Sequence, residues 1–293
     1  MLDLQNVTKT FGNVKALDDL TMTVPRGAVY GLVGPNGAGK STAIRCLLGV
    51  YRPDCGTVTL DGAPVYENPV AKARIGSIPD DIFYFPSATM EDMRKFYQGI
   101  YPKFDQALYY KLFEAFDLPK KAPLRRFSKG MQKQAAFHLT LCTRPEVLVL
   151  DEPVVGLDPV MRRQVWSLIL SEVAKEETTV LISSHNLREL EDICDHVGIM
   201  DHGRMLLQRS LADMQGATHK LQLVGNIPEG LEILHQNQSG RLTTLIVRGK
   251  AEDIAAKAQA AKCVYFDVLP LSLEEIFIYE LGGVNYEVKN IVL

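Results

Sequence analysis

Gly34-Pro35-Asn36-Gly37-Ala38-Gly39-Lys40-Ser41-Thr42 has the form G-x-x-x-x-G-K-S and lies between an apolar run, Val29 to Val33, and a helix-like stretch, Ser41 to Leu48. This is the spacing of a loop that wraps a phosphate chain. Its glycines let the backbone curl so that several N–H groups point inward at one anion. The helix start adds partial positive charge at the same place. Lys40 is placed to reach β- and γ-phosphate oxygens, and the Ser41 hydroxyl to ligate Mg²⁺. Gly34, Pro35, Asn36, Gly37, Ala38, Gly39, Lys40, Ser41 and Thr42 therefore read as contacts to a nucleoside triphosphate.

A second motif follows downstream. Val147-Leu148-Val149-Leu150 is a buried-type strand that ends in Asp151-Glu152. In an open α/β sheet, ligands sit beyond the carboxyl ends of the strands. That places Asp151 beside the phosphate loop as a Mg²⁺ ligand through water. Glu152 falls near the γ-phosphate, where a carboxylate orients or deprotonates an attacking water. Val180-Leu181-Ile182-Ser183-Ser184-His185 is a third strand with a polar end, and it offers His185 as a γ-phosphate hydrogen-bond partner.

The rest of the composition narrows the field. The chain has 293 residues, 46% apolar and 23% charged, with a net charge of −3. It is long enough for one large domain or two modest ones. No basic surface for a polyanion is expected, so no nucleic-acid partner is expected. The five cysteines are scattered without a C-x-x-C pair, which suits a reducing cytosol and argues against a disulfide framework or zinc site. The start, Met1-Leu2-Asp3-Leu4, does not read as a signal peptide. No uncharged apolar run approaches the roughly 20 residues of a membrane span. A soluble chain that can dock on a membrane protein is expected.

Strands are expected at Leu2 to Val7, Leu20 to Val24, Val29 to Val33, Thr57 to Leu60, Arg74 to Ile78, Val147 to Leu150 and Val180 to Ser183. Met90 to Cys142 reads as helical, punctuated by Pro102, Pro119 and Pro123. Pro159 to Lys175 reads as a helix with Asp158 as its N-cap. A short helix from Leu187 to Cys194 and strands near Val197 to Met200 and Arg204 to Gln208 complete a doubly wound parallel sheet. A small α+β module is expected after Ser210. Its strands are Lys220 to Val224, Leu242 to Val247 and Cys263 to Leu269, and its helices Ala251 to Ala261 and Leu273 to Leu281.

In this order the motifs resemble those of the ATP-binding-cassette (ABC) ATPases over about residues 1–210. The resemblance rests on the phosphate loop, the Asp151-Glu152 pair, the loop Gly156-Leu157-Asp158 and His185 at the switch position. It rests above all on Phe127-Ser128-Lys129-Gly130-Met131-Gln132, which looks like the family's signature segment. Ser128 is a good N-cap, Gly130 leaves room for close approach, and the helix start forms a second anion site. The resemblance implies a P-loop NTPase of the ABC ATPase fold: a parallel sheet core, an antiparallel β subdomain and an inserted helical subdomain at about 83–143. Residues 211–293 are expected to form a C-terminal accessory domain. It implies ATP and Mg²⁺, catalysis by Lys40, Glu152 and His185, and metal ligation by Ser41, Asp80 and Asp151. Ser128, Gly130 and Asp158 are implied as further nucleotide contacts. Phe11 is implied as an adenine-stacking aromatic, although a core aromatic reads equally well there.

The same resemblance implies a head-to-tail dimer, homo- or heterodimeric, with each ATP between the Lys40 loop of one subunit and the Ser128 segment of the other. Transmembrane permease subunits would be the partners, with the chain held at the cytoplasmic face of the membrane. Two segments depart from the pattern. Asp80 stands where the family carries glutamine, and Lys129 and Met131 stand in the signature where glycine and glutamine are typical. Eleven Phe and Tyr residues lie between Phe83 and Phe116. Most read as subdomain core, with Phe83, Tyr84 and Phe85 as candidates for permease contact. Pro270-Leu271-Ser272-Leu273-Glu274-Glu275-Ile276-Phe277 looks like the ending of ATPases that pair with ABC-2-type permeases, often exporters, and the chain is similar in character to a YtrB-like group. The competing reading is a non-transport ABC ATPase acting on a soluble macromolecular partner.

Overall fold

The computed structural model describes residues 1–116, 118–176 and 178–281. In chain order the elements begin with β1 (Leu2–Phe11), β2 (Val14–Val24), β3 (Val29–Val33), α1 (Lys40–Leu47), β4 (Cys55–Leu60), β5 (Ala63–Pro64), α2 (Pro69–Lys72) and β6 (Ile75–Ile78). Next come α3 (Met90–Ile100), α4 (Gln106–Phe116), α5 (Lys129–Leu141), β7 (Val147–Asp151), α6 (Pro159–Glu176), β8 (Thr179–Ser184), α7 (Arg188–Glu191), β9 (His196–Asp201) and β10 (Arg204–Ser210). The last are α8 (Leu211–Ala217), β11 (Thr218–Val224), β12 (Glu232–Ser239), β13 (Leu242–Arg248), α9 (Ala251–Ala260), β14 (Tyr265–Pro270) and α10 (Leu273–Leu281).

The chain divides into two compact units, residues 1–185 with 198–208, and residues 186–197 with those from 209 on. The first contains a six-stranded sheet of order β10-β9-β3-β8-β7-β6, in which β3, β8, β7 and β6 pair in parallel. Every residue of β3, β7 and β8 is buried. Continuous apolar strands such as Val147–Leu150 exist because a parallel sheet is covered on both faces. A second, antiparallel sheet has the order β2-β1-β4-β5. Its inward residues Leu2, Leu4, Leu20, Met22, Val58 and Leu60 share one core with Ile44 and Leu47 of α1. That shared core fixes the phosphate loop between the two sheets.

The helical segment between β6 and β7 has its own logic. Thr89 and Asp92 form a capping box that starts α3, and Ser128 accepts the Met131 N–H at the start of α5. The second half of α5, Lys133 to Leu141, is buried throughout. His138 lies among Tyr109, Phe113 and Phe116 at ring distances of 4.6, 5.8 and 6.0 Å, with Nε2 on the Tyr109 carbonyl at 2.7 Å. Burial pulls its pKa from 6.5 down to about 4, against the smaller opposing effect of that carbonyl. The fold therefore holds the ring neutral, while the unfolded chain takes up a proton below pH 6.5. The stability from the neutral ring is complete above pH 6.5 and is lost as pH falls toward 4, up to about 3 kcal/mol. Urea unfolding at pH 7.5 and 5 should show this loss in the wild type and a flatter slope in His138→Phe.

The second unit contains an antiparallel sheet of order β12-β13-β11-β14. Leu221 and Leu223 of β11 and Leu245 and Val247 of β13 alternate toward Ile254 and Ala258 of α9. β12 was not expected. All eight of its residues are exposed, so no alternation marks it, and pairing with β13 alone makes it an edge strand. The boundary also differs from the expected one after Ser210, because residues 186–197 join this unit. Arg188 pairs with Glu274 at 2.7 Å, and the Leu273 N–H donates to Glu191 at 3.1 Å. The Leu-Glu-Glu ending proves to be a helix start. Ser272 and Glu275 cap one another reciprocally, Lys220 pairs with Glu275 at 2.6 Å, and Leu271, Leu273 and Ile276 are buried. The Phe277 side chain lies outside the described residues.

Candidate active site

The phosphate loop turns at Gly37 and Gly39, whose φ angles are +86° and +101°. Gly39 is forced to be glycine twice over: a Cβ there would lie 2.6 Å from the Ala16 carbonyl oxygen. A Cβ at Gly34 would run into the Met200 carbonyl. The loop thus lies flush against β2 and the β9–β10 turn. Pro35, Asn36, Gly37, Ala38, Gly39, Lys40, Ser41 and Thr42 line an open cleft of about 540 Å³, together with Val14, Lys15, Ala16, Asp80, Glu152, His202 and Gly203. That volume falls in the range of small-molecule sites.

Lys40 is buried and donates to the carbonyls of Gly34 and Pro35 at 2.7 and 3.3 Å. Its Nζ stands 3.7 Å from Glu152 Oε1, and Glu152 Oε2 meets His185 Nδ1 at 3.0 Å. Burial pushes the Lys40 ammonium below its usual value, with Glu152 and Asp151 opposing. The three expected catalytic side chains are therefore in one chain of contacts.

Asp151 and Glu152 are set by the ends of neighbouring strands. Ser183 Oγ donates to Asp151 Oδ1 at 2.5 Å and accepts the Glu152 N–H at 3.0 Å. One hydroxyl thus orients both acids. Glu152 has φ +47°, a strained value for a residue with a side chain. Strain of this kind persists only where surroundings impose it, and here the Glu152 carbonyl is also held by Lys133 Nζ at 2.8 Å.

Ser41, Asp80 and Asp151, the expected metal ligands, line a second cleft of about 190 Å³ with Arg45 and Asp81. The donors are one hydroxyl and carboxylates, all hard oxygens. Among the described residues no group of three or more His, Cys, Asp or Glu side chains is arranged to hold an ion unaided. That is the donor set for a cation held jointly with substrate phosphates, which suits Mg²⁺.

The other expected contacts lie elsewhere. Phe11 does not line the phosphate cleft; it is exposed at the β1–β2 turn, edge-on to Tyr51 at 5.2 Å. Ser128 caps α5. A Cβ at Gly130 would make only moderate contacts, 3.4 Å to Met161 and 3.6 Å to Leu157, so packing within the chain does not explain that glycine. Asp158 Oδ1 accepts the N–H groups of Val160 and Met161 at 2.9 and 3.0 Å, capping α6. Sequence reading overlooked Lys15, Gly203, Ser183 and Lys133. Ser183 was visible only as the polar end of an apolar strand.

A family model described as ABC transporter matches residues 17–155. The chain is 30% identical over 288 residues to the ABC transporter ATP-binding protein YtrB of Bacillus subtilis (strain 168), covering 97% of this chain and 99% of that protein. The chain belongs to the ABC transporter ATP-binding proteins. The cassette is also 32% identical over 296 residues to the Nod factor export ATP-binding protein I of Burkholderia lata, covering 96% of this chain and 97% of that one. A bacterial ABC transporter cassette solved as a dimer superposes with a TM-score of 0.66 at 20% identity, over 72% of this chain and 99% of that one, which shows the shared fold. This cassette is accordingly an ATPase subunit of the ABC type, and its expected parallel core and antiparallel subdomain are both present. Among the described residues no helix is long and apolar enough to cross a membrane.

Proposed function

We propose that this cassette hydrolyses Mg²⁺-ATP as a head-to-tail dimer and drives export through separate permease subunits at the inner face of the membrane. The observation that carries the reading is the Lys40–Glu152–His185 chain of contacts, of which Lys40 and Glu152 line the phosphate-loop cleft. When phosphates enter, Lys40 exchanges the Gly34 carbonyl for phosphate oxygens. That exchange releases Glu152 from its lysine to accept a proton from the attacking water. His185, already on Glu152, donates to the γ-phosphate side. Ser183 keeps Asp151 turned toward the metal position, which Ser41 and Asp80 complete. Mg²⁺ bound with the substrate would neutralise phosphate charge there. Phe11, with an exposed ring, is assigned to adenine.

The dimer is supported by Ser128 and Gly130, whose glycine answers no packing need inside the chain. They fit a second phosphate surface for the partner's ATP, with Asp158 in the adjoining loop. Homodimer and heterodimer both satisfy this arrangement. Export is supported by the name of the Burkholderia relative and by the ABC-2-type ending. Residues 1–210 are proposed to act as the motor, and residues 211–293 as its accessory module. The deciding test is size-exclusion chromatography of the full chain with Mg²⁺-ATP under non-hydrolysing conditions. A monomer in ADP and a dimer in ATP are expected, and a monomer in both would overturn the dimer.

The permease surface is placed on the aromatic cluster. Phe83 is 70% exposed and Phe85 48%, with rings 6.3 Å apart, and Phe85 meets Phe96 at 5.4 Å. Arg125 lies over Phe83 at 5.4 Å. Exposed aromatics with an arginine are typical of interface anchors. Tyr84 does not share that surface: it is buried, and its hydroxyl donates to the Gln132 carbonyl at 2.8 Å. Replacing Phe83 and Phe85 together by serine should leave the ATPase rate of the isolated chain within about two-fold. It should weaken retention by the permease at least ten-fold, the scale of a hot-spot loss. Pull-down with the cognate membrane subunits measures this.

A further inference from the structure

The carboxylates around the nucleotide cleft outnumber the ammonium of Lys40. Asp80 and Glu152 line the larger cleft, and Asp80, Asp81 and Asp151 the smaller. Beyond Lys40, Lys15 and Arg45 of the lining, a further cation stands behind them. Lys133, in the second turn of α5, is only 7% exposed at its side chain and ends at three oxygens from two segments. Its Nζ donates to the carbonyls of Glu152 and Val155 at 2.8 and 3.0 Å and lies 3.8 Å from Asp80 Oδ1. A buried ammonium is costly unless paired, so these three oxygens define its role. They belong to the loop after β6 and to the turn after β7. The same turn holds Glu152 in its left-handed conformation.

We infer that Lys133 is a positioning residue for Glu152. It pins the strained turn that aims the carboxylate. Without it, the Glu152–Val155 turn loses two hydrogen bonds at once and relaxes toward ordinary backbone angles, carrying the carboxylate off Lys40 and His185. The inference rests on the hydrolytic reading above.

The test compares Lys133→Gln and Lys133→Met with wild type in the full chain. It is read by kcat and KM for Mg²⁺-ATP, by affinity for a fluorescent ATP analogue, and by Tm. Lys133→Gln should lower kcat about ten-fold or more, with KM and analogue affinity within about three-fold, because the residue acts on Glu152 and not on the phosphates. Lys133→Met, which keeps the apolar stem and has no donor, should lose at least as much kcat with affinity again within about three-fold. A kcat for Lys133→Gln within two-fold of wild type overturns the inference. So does a loss shared by analogue affinity. If Lys133→Gln does not fold, Lys133→Met decides: folding with kcat down about ten-fold or more and affinity kept supports the role, and a kcat within two-fold of wild type or failure to fold overturns it. A wild type without ATPase would sink the hydrolytic reading itself, whereas an active wild type with an unaffected Lys133→Gln sinks only Lys133.

Discussion

Glu152→Gln is expected to reduce ATP turnover by about a hundred-fold or more while nucleotide binding survives, because a positioned proton acceptor contributes on that scale. Glutamine keeps the shape of the side chain and its reach to His185, now 3.0 Å from Oε2. It cannot accept a proton from water. It also removes the negative charge 3.7 Å from Lys40, so the lysine has one less competitor for phosphate. Affinity for ATP should therefore hold or rise, and the ATP-bound dimer should accumulate in size-exclusion or light-scattering profiles. Turnover above about a tenth of wild type would mean that another group takes the proton. A loss of nucleotide binding would mean that Glu152 shapes the cleft rather than acting in it.

Gly39→Ala should be comparably severe by another route. Gly39 has φ +101°, and an added Cβ would sit 2.6 Å from the Ala16 carbonyl and 3.2 Å from Leu17 Cδ2. The main obstacle is backbone and cannot rotate away. Strain and displacement together should cost about 2–4 kcal/mol. Because the loop must move to relieve them, its inward N–H groups lose their convergence, and nucleotide affinity should fall about a hundred-fold, measured by fluorescent-ATP titration. Gly62→Ala is the control. It shares a positive φ of +80° but has nothing within 4 Å of its Cβ position. It should lose only about 1–2 kcal/mol of stability, the cost of the left-handed backbone, and keep its affinity. Equal affinity loss in both would refute the close approach as the cause.

Much of the site was legible in the chain because its parts are local. A phosphate loop needs glycines at fixed offsets followed by a lysine and a hydroxyl. Buried parallel strands need continuous apolar runs, and these end in the acids that the sheet edge presents. Gly34 to Thr42, Asp151-Glu152 and His185 were all readable for that reason. Phe83-Tyr84-Phe85 shows the limit. Three aromatics in a row carry no period, and only the packing turned Tyr84 inward to Gln132 while leaving its neighbours exposed. The strand β12 shows another, since an edge strand exposed along its length is made by its neighbour's free backbone groups rather than by its own pattern.

Sequence alone determined the chemistry: a triphosphate loop, two acids after a buried strand and a histidine after the next, each imposed by backbone rules that act over a few residues. Tertiary structure decided how those groups are aimed. Ser183 from one strand orients both acids of another, and Lys133 from a distant helix reaches between Asp80 and the Glu152 turn. Residues 186–197 joined the C-terminal unit for the same kind of reason, through Arg188, Glu191 and Glu274. Such contacts depend on where a long side chain ends in space, and spacing along the chain does not encode that position.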